Sequence, residues 1–185
     1  MNKYLRALVV IPTGAAKMGL LKLGRGAKFS GPAIAQISPL AEITFDRGGE
    51  LHIGKGFKMR DGAKLRVRKG AVCRMGRNVS LGSFNVINCQ LGISIGDNVI
   101  LSPNVQIYDH DHDYSCEGGV AAGKYITAPV EIGSNVWIGA NCVILRGAKI
   151  GDNCVIGANS VVKGEVSANA VMYQERSTKI KIREI

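Results

Sequence analysis

VEIGSNVWIGANCVILRGAKIGDNCVIGANSVVKGEV, residues Val130 to Val166, returns an aliphatic side chain at every sixth position: Ile132, Ile138, Ile144, Ile150, Ile156 and Val162. Four places after each stands a small or β-branched residue: Val136, Cys142, Ala148, Cys154, Ser160 and Val166. Apolar spacing near 3.6 would make a helix, and alternation with period two would make a lone strand. A period of six fits a short strand and a tight corner, repeated. Asn135, Asn141, Asn153 and Asn159 stand at the corner position, where tolerance of the left-handed backbone region suits a sharp bend. Hexapeptide periodicity marks a parallel β-helix, in which three hexads of about 18 residues close one triangular coil. Ile132 is therefore expected to stack on Ile150, and Ile138 on Ile156.

Outward from this stretch the bulk numbers agree. The chain has 185 residues, which suits one domain with a sizeable core. Aromatic residues are few and Gly is plentiful, the balance of a coil filled by Ile, Val and Leu. The formal charge of +10 implies anionic company: a phosphorylated cofactor, an acidic glycan, a membrane face or nucleic acid. No nucleic-acid-binding motif is present. The five Cys are odd in number and include no C-x-x-C, which argues against a disulfide framework and a zinc ribbon. Cys142 and Cys154 take the small inward hexad position and read as buried thiols in a reducing compartment.

Residues 1–23 form a basic, amphipathic N-terminal segment, expected to be helical. Its apolar run Leu5 to Ile11 is too short to span a bilayer, is interrupted by Pro12 and Gly14, and leads to no clear cleavage site. It is expected to pack on the end of the coil. Lys3, Arg6, Lys17 and Lys22 keep a peripheral membrane contact open. The β-helix domain takes residues 24–167, with Gly24 to Leu51 as a degenerate opening coil. The hexad phase then runs through Ile53, Met59 and Leu65, slips, resumes at Met75, Leu81 and Ile87, slips again, and continues at Ile95, Leu101 and Ile107. The slips are expected to be corner bulges or small loops. In Lys64 to Arg68 alternation puts every charge outside, as a solvated wall or a basic strip for an acidic partner. Residues 168–185 form a C-terminal covering tail, with an alternating strand from Lys179 to Ile185.

The repeat breaks once, at a loop of about residues 108–128. A loop inserted in a rigid solenoid is where a site is expected. It opens with Asp109, His110, Asp111, His112 and Asp113. In extended backbone the two His share one face and the Asp residues the other. Imidazole near carboxylates suits general-base chemistry near neutral pH, although a polar loop without chemistry would read the same way. A zinc site would need a third ligand. His52, the remaining His, lies far along the coil axis, so no metal is expected.

The stretch from Ile95 to Tyr114, followed by Ile126 to Val162, resembles the hexapeptide-repeat O-acetyltransferases, closest to those acting on sugars of capsule, lipopolysaccharide or exopolysaccharide. The galactoside and maltose acetyltransferases are similar over the same span. The resemblance covers about residues 50–167. It implies an all-β, left-handed parallel β-helix, a homotrimer, and acetyl-CoA held between neighbouring prisms as co-substrate without a metal. It implies His112 as the base that takes the proton of a sugar hydroxyl, with His110 as second candidate. Ala140, Ala158, Val162, Lys163 and Lys179 match or neighbour cofactor positions, with Arg176 as another candidate for the phosphate end. Asn85, Asp109 and Trp137 fall at substrate-binding places. The family's Gly- and Pro-containing turn near the C-terminus is replaced here by Y-Q-E-R-S-T-K-I. The expected activity is O-acetylation of a surface polysaccharide or its precursor, in the cytoplasm. An amino sugar or small antibiotic as acceptor, and a non-catalytic trimeric scaffold, are the rival readings.

Overall fold

The period of six builds stacked strands in the expected register. In the computed structural model, which describes residues 3–23, 28–175 and 177–182, Ile132 pairs with Ile150 and Ile138 with Ile156, all in parallel. Three parallel sheets, two of seven strands and one of six, form the faces of a left-handed β-helix. The first face runs from Lys28–Ser30 to Glu165–Val166, and the second from Gln36–Ile37 to Val171–Met172. The third runs from Glu42–Phe45 to Val161–Val162. The chain visits the faces in that order, so each coil adds one strand to each.

Alternation along every short strand sends one side chain inward. On the second face Ile37, Met59, Leu81, Leu101, Ile138 and Ile156 stack directly on one another and are fully buried. Each such burial contributes roughly 1.5–3 kcal/mol, so the column is a main source of stability. Cys142 and Cys154 are buried on separate faces as the spacing requires, and Lys64 and Arg66 point outward.

Two of the three corners are uniform. Between the first and second faces Asn78, Asn98, Asn135, Asn153 and Asn169 have positive φ and pass a side-chain amide hydrogen bond from each to the next, at 2.9–3.1 Å. Asn104, Asn141 and Asn159 repeat this at the corner between the second and third faces. Most of the variation in length sits at the remaining corner. The phase slips are not bulges: they lengthen the flanking strands, Lys64–Val67 with Val72–Met75 and Val86–Cys89 with Gly92–Ile95, to four residues each. The insertion leaves from that same corner.

The N-terminal end shows why the helix is there. Amides of each coil donate to carbonyls of the next, as in Gln36 N to Phe57 O and Ser38 N to Met59 O. At the chain's beginning the first coil has no earlier coil to pair with, and the carbonyls of Ala35, Ser38, Pro39 and Ala41 lie on that edge. The helix Lys3–Leu23 packs there, on the terminal strands Gln36–Ile37 and Lys28–Ser30. It runs on through Pro12. Lys17 donates its ammonium to the carbonyls of Ser38 (3.0 Å), Pro39 (3.1 Å) and Ala41, and Met18 is buried in the core. Gly14 permits the approach: a Cβ there would lie 1.9 Å from the carbonyl oxygen of Ala35. Gly14→Val is expected to lift the helix and lower the melting temperature by several degrees, with the β-sheet circular dichroism retained. An unchanged melt would show that the helix adds nothing to the coil.

The C-terminal expectation fails in part. Residues 177–182 form no strand, and Ile180 and Ile182 are 87% exposed. Gln174 instead bonds the backbone of Val161 through both its amide atoms. Arg176, residues 183–185 and the side chains of Lys3 and Arg6 lie outside the described residues.

Candidate active site

The insertion is a hairpin. His110–His112 pairs antiparallel with Tyr125–Thr127, and a 3₁₀ turn, Gly119–Ala122, lies at its far end. The hairpin is fastened at its base. Asp109 is fully buried, and its carboxylate accepts from the backbone amides of Gln90, Leu91 and Gly92 at 2.7–3.1 Å, closing the same corner one coil earlier. Its Oδ1 lies 3.0 Å from His110 Nδ1. That bond fixes the His110 ring, which sits edge-on to Tyr108 and Tyr125 with only 9% of its side chain exposed.

His112 is exposed and lies over the other side of Tyr125, ring centres 4.7 Å apart. The two imidazoles thus share a face, with Tyr125 between them. On the opposite side Asp111 takes an ion pair from Arg146 at 2.5 Å, tying the hairpin to the next coil. Farther out, Asp113 accepts from the hydroxyl and amide of Ser115 and the amide of Cys116, which holds its carboxyl below the usual range. The site is therefore an exposed imidazole on a braced ribbon, beside a second imidazole whose orientation is set by a buried carboxylate.

Of the predicted cofactor residues, Ala140 and Ala158 lie at the other edge of the third face, where the second face turns into it, whereas Lys163 follows Val161–Val162 at the hairpin's own edge. Gly139 and Ala140 stack on Gly157 and Ala158: Asn159 N donates to Ala140 O at 2.8 Å, and a Cβ on Gly139 would meet the Ala158 nitrogen at 2.6 Å. Small residues leave this corner shallow. Trp137 stands beside it, half exposed, with Nε1 donating to Ser102 Oγ at 3.0 Å. Lys163 is exposed on the coil and Lys179 on the tail. Within one chain the histidines and the alanines remain on separate corners.

Three expectations are corrected. Val162 points inward and is 1% exposed, so it packs the core and does not meet a cofactor. Asn85 is fully buried; its Oδ1 accepts from Val105 N at 2.9 Å, so it braces the coil interior instead of reaching an acceptor. Asp109 is occupied by backbone amides and unreachable for substrate. His52 bonds Ser30 Oγ at 2.7 Å on the first face, far from the hairpin. Sequence reasoning missed Phe84. It stands at the Asn corner position, three places after Leu81, yet carries positive φ and an exposed ring. A bulky residue in the left-handed region is strained, and its ring lies over Gly62 of the preceding coil, where a Cβ would meet it at 2.5 Å. The signal was present in the hexad phase of Ser83, Phe84 and Asn85. A separate open groove of about 750 Å³ on the first face is lined by Arg74, Glu131, Lys149 and Glu165, and includes none of these residues.

Comparison with known proteins fits this architecture. Residues 129–164 match the family described as bacterial transferase hexapeptide (six repeats), and residues 73–109 match the hexapeptide repeat of succinyl-transferase. In these two stretches its repeats are similar to those of the hexapeptide-repeat transferases. Among its relatives is Rv3034c of Mycobacterium tuberculosis, described as a probable acetyltransferase, with 32% identity over 90% of this chain and 51% of that protein. Another is the galactoside O-acetyltransferase of Escherichia coli, with 40% identity over 55% of this chain and 50% of that protein. The chain spans about half the length of these curated relatives. The N-acyltransferase AntD of Bacillus cereus, solved with dTDP and 3-hydroxybutyryl-CoA, shares the fold: TM-score 0.69, 22% identity, 91% of this chain and 88% of that one.

Proposed function

We propose that this protein transfers the acetyl group of acetyl-CoA to a hydroxyl of a sugar in a surface polysaccharide or its precursor. The observation that carries the reading is the braced hairpin, which holds His112 exposed at one edge of a face whose other edge is the shallow Gly139–Ala140 and Gly157–Ala158 corner. In a homotrimer of such prisms, the histidine edge of one copy meets the alanine edge of the next, and the cofactor lies in the crevice.

His112 takes the proton of the acceptor hydroxyl as its oxygen attacks the thioester carbonyl. The carbonyl oxygen becomes negative in the tetrahedral intermediate and is stabilised by backbone N–H groups near Ala140. The C–S bond then breaks, and the CoA sulfur leaves with the proton held on the imidazolium. Ala158 lines the cofactor path, and Lys163 and Lys179 supply positive charge for its phosphates. Trp137 and Phe84 offer flat apolar faces to a sugar ring. Buried free thiols such as Cys73 and Cys89 support a cytoplasmic setting.

One observation favours a second assignment of the base. The Asp109–His110 bond is the kind of contact that fixes an imidazole tautomer and orientation. On that reading His110 takes the proton and His112 positions the acceptor.

Calorimetry and thiol release test the function. Acetyl-CoA is expected to bind in roughly the micromolar to millimolar range common for enzyme substrates. Free CoA thiol is expected to appear with saccharide acceptors. Absence of binding at millimolar cofactor would leave a trimeric scaffold as the function. Thiol release only with amino sugars or small antibiotics would move the acceptor class and keep the chemistry.

A further inference from the structure

The net charge of this protein is not spread over it. Residues 28–80, the three coils nearest the helix, carry eleven Lys and Arg against four Asp and Glu. Residues 81–175 carry four against nine. The coil is therefore a rod with a basic N-terminal half and an acidic C-terminal half. Strands stack about 4.8 Å apart, so the basic half lies within roughly 15 Å of the end on which the helix packs. That is within one or two Debye lengths at physiological salt, which are about 8 Å each.

The helix on that basic end is oddly dressed. Gly14 and Met18 face the coil. The opposite face presents Leu8, Val9, Pro12, Ala16, Leu20 and Leu23, all exposed, with Leu8 at 73% and Leu23 at 78%. No charge interrupts this outward stripe; Lys17 and Lys22 stand at its flanks. Beside it the first coil exposes Ile34 and Leu40. Among the described residues no helix is long and apolar enough to cross a membrane. An uncharged apolar stripe flanked by Lys, on the positive end of a polarised molecule, is what lies in the plane of an anionic bilayer.

We infer that the N-terminal end of this protein docks on an anionic lipid surface. Leu8, Leu20 and Leu23 enter the acyl boundary, and exposed Arg47, Lys55, Lys58, Arg60 and Lys69 face the headgroups. The rod then stands with its basic end down and its acidic end away from the membrane. This inference does not depend on the proposed reaction and is tested without it.

The test is co-sedimentation of the full chain with vesicles of phosphatidylcholine alone and with roughly one-third phosphatidylglycerol. Binding to the anionic vesicles is expected to exceed that to neutral ones by at least about tenfold and to fall with added salt. Leu8→Glu with Leu23→Glu is expected to abolish it; both sites are exposed, so the circular dichroism and melt should stay as in the parent. Lys58→Glu with Arg60→Glu, on the coil wall, is expected to weaken binding by about tenfold while leaving the apolar stripe intact. No binding to anionic vesicles, equal binding to neutral ones, or no effect of the leucine pair overturns the inference. A change of oligomeric state by light scattering in the leucine variant also overturns it, because the stripe would then be a contact between copies.

Discussion

Replacing His112 with Ala is expected to lower acetyl transfer by about 10²–10⁴-fold, the usual contribution of a positioned base. His112 is exposed and lies over Tyr125 without closing the corner below it, so the variant should fold as the parent does. Acetyl-CoA affinity should change little, because His112 is proposed to act on the acceptor hydroxyl and not to hold the cofactor. The companion variant His110→Ala is expected to retain activity within about tenfold if that ring only holds Tyr125 in place. The measurement is initial-rate thiol release at saturating acetyl-CoA with an acceptor that reacts. The reverse order, with His110→Ala the dead variant, would assign the proton to the ring bonded to Asp109.

Asp109→Ala is expected to have the largest effect on stability. The carboxylate is fully buried and satisfies the amides of Gln90, Leu91 and Gly92 together with His110. Truncation leaves those donors facing a void, and each unmet buried donor costs about 1–3 kcal/mol. With relaxation, the net loss should be about 3–5 kcal/mol, as for other broken buried charged contacts. Asp109→Asn keeps one acceptor oxygen and should lose clearly less. Urea denaturation of both variants measures this. A loss below about 1 kcal/mol for Ala would show that water takes over the corner.

The repeat was legible because its physics is local. A strand of two residues, an inward aliphatic and an Asn in the left-handed region recur with a period that nothing else produces, so the register of Ile132 on Ile150 followed from spacing alone. The location of the hairpin followed from the loss of that spacing after Ile107. What lay inside the break was less legible. Alternation from an extended backbone put Asp109 on one face with Asp111 and Asp113; in fact its carboxylate turns into the corner, where three amides of a coil 17–19 residues away await it. No local pattern announces a partner at that separation. Val162 could have been placed correctly, since it holds the same inward hexad position as Ile144, which pairs with it. Asn85 and Phe84 were exchanged for a similar reason: the hexad phase from Leu81 puts the corner at 84 and the interior at 85. The N-terminal helix read correctly as an end piece, but its pattern could not say that Lys17 would gather three carbonyls.

Those carbonyls carry a consequence of their own. Each terminus of a parallel solenoid is an open sheet edge that offers both N–H and C=O groups for pairing. Left bare, the two termini of separate molecules could join head to tail and the junction would never close on itself, which is the route to a fibre. The helix, by seating Lys17 over the carbonyls of Ser38, Pro39 and Ala41 and Gly14 against Ala35, covers one of those edges. A covered edge cannot pair with the terminus of another copy, which is one way native sheets avoid edge-to-edge growth.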